Sequence, residues 1–187
     1  MCTAITVGTD AIAHTATGIA GGFVSGFKHP LSGWDHILAM VAVGLWGAQL
    51  GQPAIWLLPV TFPMMMAVGG FLALIGVSLP GVEVGIAVSA LALGMVVALE
   101  VRPRMTIAAV IVGMFAIFHG YAHGAELPPG QSGVTYSIGF VISTGLLHAT
   151  GITIGLIHRY RTGARVLRLA GAGIALAGVW FLWSAIR

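Results

Sequence analysis

Two short strings hold most of the reactive side chains of this chain: HPLSGWDH at 29–36 and HGYAHGAE at 119–126. They contain four histidines, His29, His36, His119 and His123, and two carboxylates, Asp35 and Glu126. His119 and His123 are one helical turn apart and Glu126 follows three residues later, so on a continuous helix all three share a face. Imidazole and carboxylate offered together are the donor set of a borderline divalent metal ion. In the first string Pro30 suits the opening position of a helix, with Asp35 and His36 a turn further on. Asp35 could act only on the helix dipole. A carboxylate flanked by two histidines inside an apolar chain nevertheless reads as functional.

Other polar residues are fewer and more ambiguous. His148 lies in the middle of an apolar run with Thr144 one turn before it, so its ring must face the interior of a helix bundle; it is expected to be a ligand or to support one. Met40, one turn after His36, is expected to pack. Glu83 opens a helix and is either a dipole residue or an acid that attracts cations. Glu100 stands beside Arg102 and Arg104 and is expected to pair with them. His158, among arginines, is expected at the membrane interface. His14 depends on its segment: if residues 11–27 span, His14 is roughly 22 Å from His29 by helical rise and on the opposite side. If the segment turns back, it reaches the same vestibule.

The elements that must position these residues follow from composition. Of 187 residues 58% are hydrophobic and 7% charged, against about 25% charged in a soluble domain. Too much apolar surface remains for a soluble fold of this length, so the chain is expected to be a single transmembrane domain, 1–187, embedded in a lipid bilayer. Twenty-eight glycines suit close helix packing in lipid, and Gly22/Gly26, Gly47/Gly51, Gly120/Gly124 and Gly151/Gly155 have the small-xxx-small spacing. The net charge of +3 does not gather into a nucleic-acid-binding patch. One cysteine, Cys2, makes neither a disulfide framework nor a thiolate metal site, which excludes Cu(I) and iron–sulfur chemistry.

Apolar runs of about the roughly 20 residues a span needs occur at 34–51, 54–76, 82–101, 105–124, 134–157 and 164–186, with a shorter glycine-rich run at 11–27. Breakers at 51–53, 79–81, 102–104 and 128–130 separate them, and Pro59 and Pro63 should kink the second. The fold class is therefore an all-α bundle of six transmembrane helices plus an N-terminal re-entrant or seventh helix. Placing Arg102, Arg104, Arg159, Arg161, Arg165 and Arg168 in the cytoplasm puts the loops near 28–36, 77–82 and 125–133 outside. Both histidine strings then face outward. Six spans with an external N-terminus and seven with an internal one satisfy this equally. The first ten residues have no basic n-region, so no complete signal peptide is expected there.

HPLSGWDHILAMVAVGLWGAQLG, LPGVE, FHGYAHGAELP and YSIGFVISTGLLHATG together resemble the HupE/UreJ family of nickel permease-like membrane proteins, over most of the chain from about residue 14. The resemblance implies transport of nickel, with cobalt as second candidate, across the bacterial inner membrane for hydrogenase or urease maturation. It also implies that His29, Asp35, His36, His119, His123 and Glu126 belong to the metal pathway. Many members carry a cleavable signal ending before an Ala-His pair, which Ala13-His14 matches.

Two functions compete for these residues. The first is a permease: Asp35, Glu83 and Glu126 attract the cation, and histidines, with His148 and His14 as further candidates, replace part of its water. Such passage needs binding that is favourable but weak. The chain lacks a GxxxxGK[ST] string, so transport would be secondary or facilitated, with no prosthetic group. The alternative is an intramembrane hydrolase in which histidines and an aspartate hold Zn²⁺, assisted by Ser32, Ser143 or Thr144. An accessory subunit without transport is disfavoured by the short loops. Self-association is left open.

Overall fold

A computed structural model describes residues 19–126, 130 and 132–187; His14 and the Ala13-His14 pair lie outside the described residues. Among these the fold is all-helical, with seven α-helices: α1 (Ile19–Lys28), α2 (Trp34–Leu50), α3 (Ala54–Leu74), α4 (Val82–Ala98), α5 (Met105–Ala125), α6 (Gly133–Gly155) and α7 (Arg161–Ala185). Short 3-10 turns occupy His29–Leu31 and Leu156–Arg159. α3, α5, α6 with its following turn, and α7 are long and apolar enough to cross a membrane; α4 is a shorter apolar helix. Its described residues thus form the all-helical fold of a membrane protein. Exposed Trp56, Val60, Met64 and Phe71 on α3, and Leu169, Leu176 and Trp180 on α7, give those helices the apolar outer surfaces that lipid requires.

α2 is the central helix. Every residue from Ala42 to Gln49 is buried, and it packs on α3, α4 and α6, as expected of a helix apolar on all sides. Its crossing with α6 is backbone against backbone: a Cβ on Gly44 would land on the His148 carbonyl, and one on Gly151 on the Val41 carbonyl. Gly26 meets the Tyr136 backbone in the same way, and Gly120 the Met66 backbone. Three of the four spaced glycine pairs therefore lie at helix contacts. Gly47/Gly51 does not: Gly51 has φ +76 with nothing within 4 Å of its would-be Cβ, and it ends α2 in the backbone conformation glycine favours. α3 continues through Pro59 and Pro63 as one helix.

The two ends of the bundle differ in chemistry. At one end, His29, Asp35, His36, Glu83 and Glu126 line a common cavity of about 220 Å³. At the other, Trp46 Nε1 donates to the Val101 carbonyl (2.9 Å), Gln49 Nε2 to Val97 (3.1 Å) and Arg168 Nε to Ala98 (3.0 Å). These bonds tie the end of α2, the end of α4 and the arginine-rich start of α7 together, away from the histidine strings.

Three local expectations are corrected. HPLSGWDH does not open a single helix: Pro30 sits in the 3-10 turn, and extended Gly33 (φ −115°, ψ 126°) separates it from α2. Arg161, Arg165 and Arg168 belong to the first turns of α7 and not to a loop; their long stems can run along apolar surface while the charge reaches water. Glu100 makes no ion pair with Arg102 or Arg104 among the described residues. It occupies the left-handed position (φ 52°) of a helix stop in which Glu100 N–H bonds Val97 and Val101 N–H bonds Val96, the Schellman pattern.

Candidate metal site

The candidate ligands come from three places in the chain. The turn after α1 supplies His29, the start of α2 supplies Asp35 and His36, and the end of α5 supplies His123 and Glu126. One ligand atom each from His29, His123 and Glu126 lies within 4.8 Å of the other two. His29 Nε2 is 3.0 Å from Glu126 Oε2, and its Nδ1 is 2.6 Å from the Tyr136 hydroxyl. Burial, with His36 acting in the same sense, holds the His29 pKa below the ordinary histidine value against the upward pull of Glu126. Glu126 is the most exposed of the three, with 59% of its side chain accessible against 21% for His29, so the carboxylate faces the aqueous end. Glu83 lines the same cavity but is not among the three clustered ligands.

The expected single face of α5 is divided. Helix geometry ends at Ala125, and Glu126 is the cap residue, its N–H bonded to Ala122. Leaving the helix lets the carboxylate turn to His29. His123 joins it there, while His119 points to a different set of partners.

From the mouth a file of imidazoles runs into the bundle. Ring centroids are 4.5 Å apart for His29 and His123, 4.7 Å for His123 and His36, and 4.9 Å for His36 and His119. Phe62 follows, packed on His119 at 5.4 Å and on His148 at 5.2 Å. His29 and His36 keep partial access to the mouth cavity, His123 is nearly buried, and His119 and His148 are fully buried. Each ring beyond His123 is held from outside. Asp35 Oδ1 lies 2.8 Å from His36 Nδ1; Ser89 Oγ lies 2.8 Å from His119 Nε2; the Met40 carbonyl lies 2.8 Å from His148 Nδ1. Gly33 leaves the room Asp35 needs, because a Cβ there would stand 2.6 Å from Asp35 Oδ1 and 3.1 Å from His36 Nδ1.

The structure therefore brings His29, Asp35, His36, His119, His123, Glu126 and Glu83 to one end, with His148 deeper in the bundle. His158 is elsewhere, its Nδ1 bonded to the Gly155 carbonyl at 2.9 Å. Of the hydroxyls a hydrolytic reading would enlist, Ser32 donates to the His29 carbonyl at 2.6 Å, and Ser143 and Thr144 are buried in α6. A larger cavity of about 840 Å³ between α3, α5 and α6 has His123 on its wall, but its lining is mostly apolar and unsuited to a hydrated cation. Sequence reasoning missed Tyr136, Ser89 and Phe62. Ser89 is a polar residue mid-helix in α4, too ordinary a residue in a membrane span to single it out.

The family model described as HupE / UreJ protein matches residues 2–181. Protein HupE of Rhizobium leguminosarum bv. viciae is 45% identical over 172 residues, covering 91% of this chain and 90% of that protein. No solved structure matches the chain.

Proposed function

The chain belongs to the HupE/UreJ family, and on that basis we propose that it is a permease for a divalent transition-metal cation, nickel first and cobalt second. In this reading one domain, residues 1–187, crosses the bacterial inner membrane with six helices plus an N-terminal helix or re-entrant segment. The histidine end faces outward, and the cation supplied serves hydrogenase or urease maturation.

The observation that carries this reading is the ordered file from an exposed carboxylate to fully buried imidazoles. Asp35, Glu83 and Glu126 raise the local cation concentration at the mouth. His29, His123 and Glu126 offer three donors in place of part of the hydration shell. His36, His119 and His148 continue the same chemistry inward, each step exchanging one imidazole for another. Passage by exchange among similar sites keeps any single site from holding the ion too tightly. The metal is cargo here, so no prosthetic group is invoked.

The test is uptake into proteoliposomes containing a nickel-sensitive dye. Wild-type protein is expected to pass nickel, while Asp35→Ala, His36→Ala and His123→Ala insert normally and pass little. Undiminished uptake in all three variants would remove the site from the function. Dialysis separates the hydrolase: exchangeable nickel supports the permease, whereas zinc retained at about one per chain, as in a closed protein site, would favour catalysis.

A further inference from the structure

The end of the bundle opposite the histidines gathers positive charge that the metal path does not use. α4 and α7 run antiparallel in close register: a Cβ on Gly178 would meet Leu91, one on Gly94 would meet Ala175, and one on Gly171 would meet Ala98. Continued past Ala98, that register sets the α4–α5 connection, with Arg102 and Arg104, level with Arg161 and Arg165 at the start of α7. Arg161, Arg165 and Arg168 follow at i, i+4 and i+7 and so share one face of the helix. That face is turned to the end of α4, because Arg168 Nε donates to the Ala98 carbonyl at 3.0 Å. All five arginines are exposed, and none has an ion-pair partner among the described residues. Glu100 is the one carboxylate in residues 99–105 and 156–168.

We propose that the facing ends of α4 and α7 seat the headgroup of an anionic phospholipid, with Arg168 as the anchor and Arg161, Arg165 and Arg102 supplying the surrounding positive charge. Like charges held together without counter-ions repel one another, so a bound anion relieves a cost the protein otherwise carries. Guanidinium suits a phosphate because its planar fork donates two parallel N–H bonds. The Nε bond to Ala98 fixes the plane of the Arg168 fork, and its terminal amino groups have no acceptor among the described residues. The neighbours decide that the anion belongs to a lipid. Arg168 stands about 10 Å along α7 from Arg161 by helical rise, beside exposed Val166 and Leu169, and Leu99 is exposed at the end of α4. A soluble acidic partner would have to press its charges against this apolar surface. A phospholipid covers it with acyl chains while its phosphate meets the arginines, whose stems run along the same surface. The histidine file lies at the opposite end, so the lipid binds whichever ion that file carries.

The experiment titrates the full chain in detergent with phosphatidylglycerol or phosphatidylcholine and reads the first bound lipid by native mass spectrometry. Wild type is expected to prefer phosphatidylglycerol. Arg165→Gln changes an exposed side chain with no partner among the described residues, so folding is spared; it should weaken phosphatidylglycerol binding about five-fold, the worth of one basic residue at an anionic lipid surface. Arg168→Gln should weaken it at least as much. Arg168→Lys should not restore it, because lysine keeps the charge but loses both the fork and the Nε bond. Arg187→Gln, near the other end of α7 where the guanidinium lies 4.3 Å over the Trp183 ring, should bind as wild type does. Thermal unfolding gives a second reading and identifies the source of the anion. Phosphatidylglycerol raises the wild-type midpoint and raises that of Arg165→Gln less, while inorganic phosphate has no such effect. The proposal is overturned if wild type binds both lipids equally, if Arg165→Gln and Arg187→Gln behave alike, if Arg168→Lys matches wild type, or if inorganic phosphate reproduces the thermal shift.

Discussion

The Tyr136 hydroxyl lies 2.6 Å from His29 Nδ1, so a side chain of α6 orients an imidazole that belongs to the turn before α2. The opposite nitrogen of the same ring faces Glu126 at 3.0 Å. A phenol both donates and accepts, and it can serve His29 in either tautomer. While Nε2–H donates to Glu126, Tyr136 donates to Nδ1. When a cation takes the Nε2 lone pair, the proton resides on Nδ1 and Tyr136 accepts it.

Tyr136→Phe removes this support and little else, because the ring keeps its stacking on Phe140 at 6.3 Å. Nickel affinity at the mouth is expected to fall about ten-fold, the lower range for an outer-shell partner, with the protein still folded. Equilibrium dialysis against nickel checks this. Unchanged affinity would take Tyr136 out of the site.

Proton competition at the mouth has a definite sign. Burial holds the His29 pKa below its ordinary 6.5, so the ring is mostly neutral at a pH where a free imidazole is half protonated. Nickel binding should therefore lose to protons at a lower pH than it would at a free imidazole, whose ordinary pKa is about 6.5. Linkage gives stability the same direction: the unfolded chain takes up the proton first, so His29 costs folding stability as pH falls below 6.5. Glu126 raises the His29 pKa, and Glu126→Gln should move the decline to still lower pH. Nickel titrations at a series of pH values test both points, and a decline that is already steep above pH 7 would contradict them.

The ligand types were legible because they are rare. In a chain with 7% charged residues, four histidines and two carboxylates in two strings cannot be background, and the placement of the arginines sufficed to put both strings at one end. The supporting atoms were not legible. Ser89 and Tyr136 matter only through partners on other helices, and neither residue type is unusual in a membrane span. The break at Gly33 was hidden because the Pro30 start signal is equally valid for a 3-10 turn. Glu126 was assigned to the face of His119 because periodicity cannot tell the last helical residue from its cap, and that one-residue difference decides which histidine the carboxylate meets.

His158 gives a negative control. It lies in the turn after α6, bonded to the Gly155 carbonyl, in the arginine-bearing segment. His158→Ala is expected to leave nickel uptake unchanged and to alter stability by no more than about 0.5 kcal/mol. Thermal unfolding and the liposome assay measure the two effects, and complete loss of uptake would mean the path extends to that end.

Gly44 couples packing to the site. It sits one turn after Met40 on α2, and Met40 supplies the carbonyl that holds His148. A Cβ at Gly44 would overlap the His148 carbonyl and stand 2.8 Å from Ile152 N. Both are backbone atoms, so no side chain can swing aside and the helices must separate. Gly44→Ala should then cost about 1–3 kcal/mol, the range for overpacking a tight interior, and reduce uptake by loosening the His148 bond. Gly145 on α6 has nothing within 4 Å of its would-be Cβ. Gly145→Ala should leave uptake intact and gain up to about 1 kcal/mol of helix propensity. Melting curves in detergent and uptake rates for the two variants decide the matter: if both alanines behave alike, the close α2–α6 crossing does not hold His148 in place.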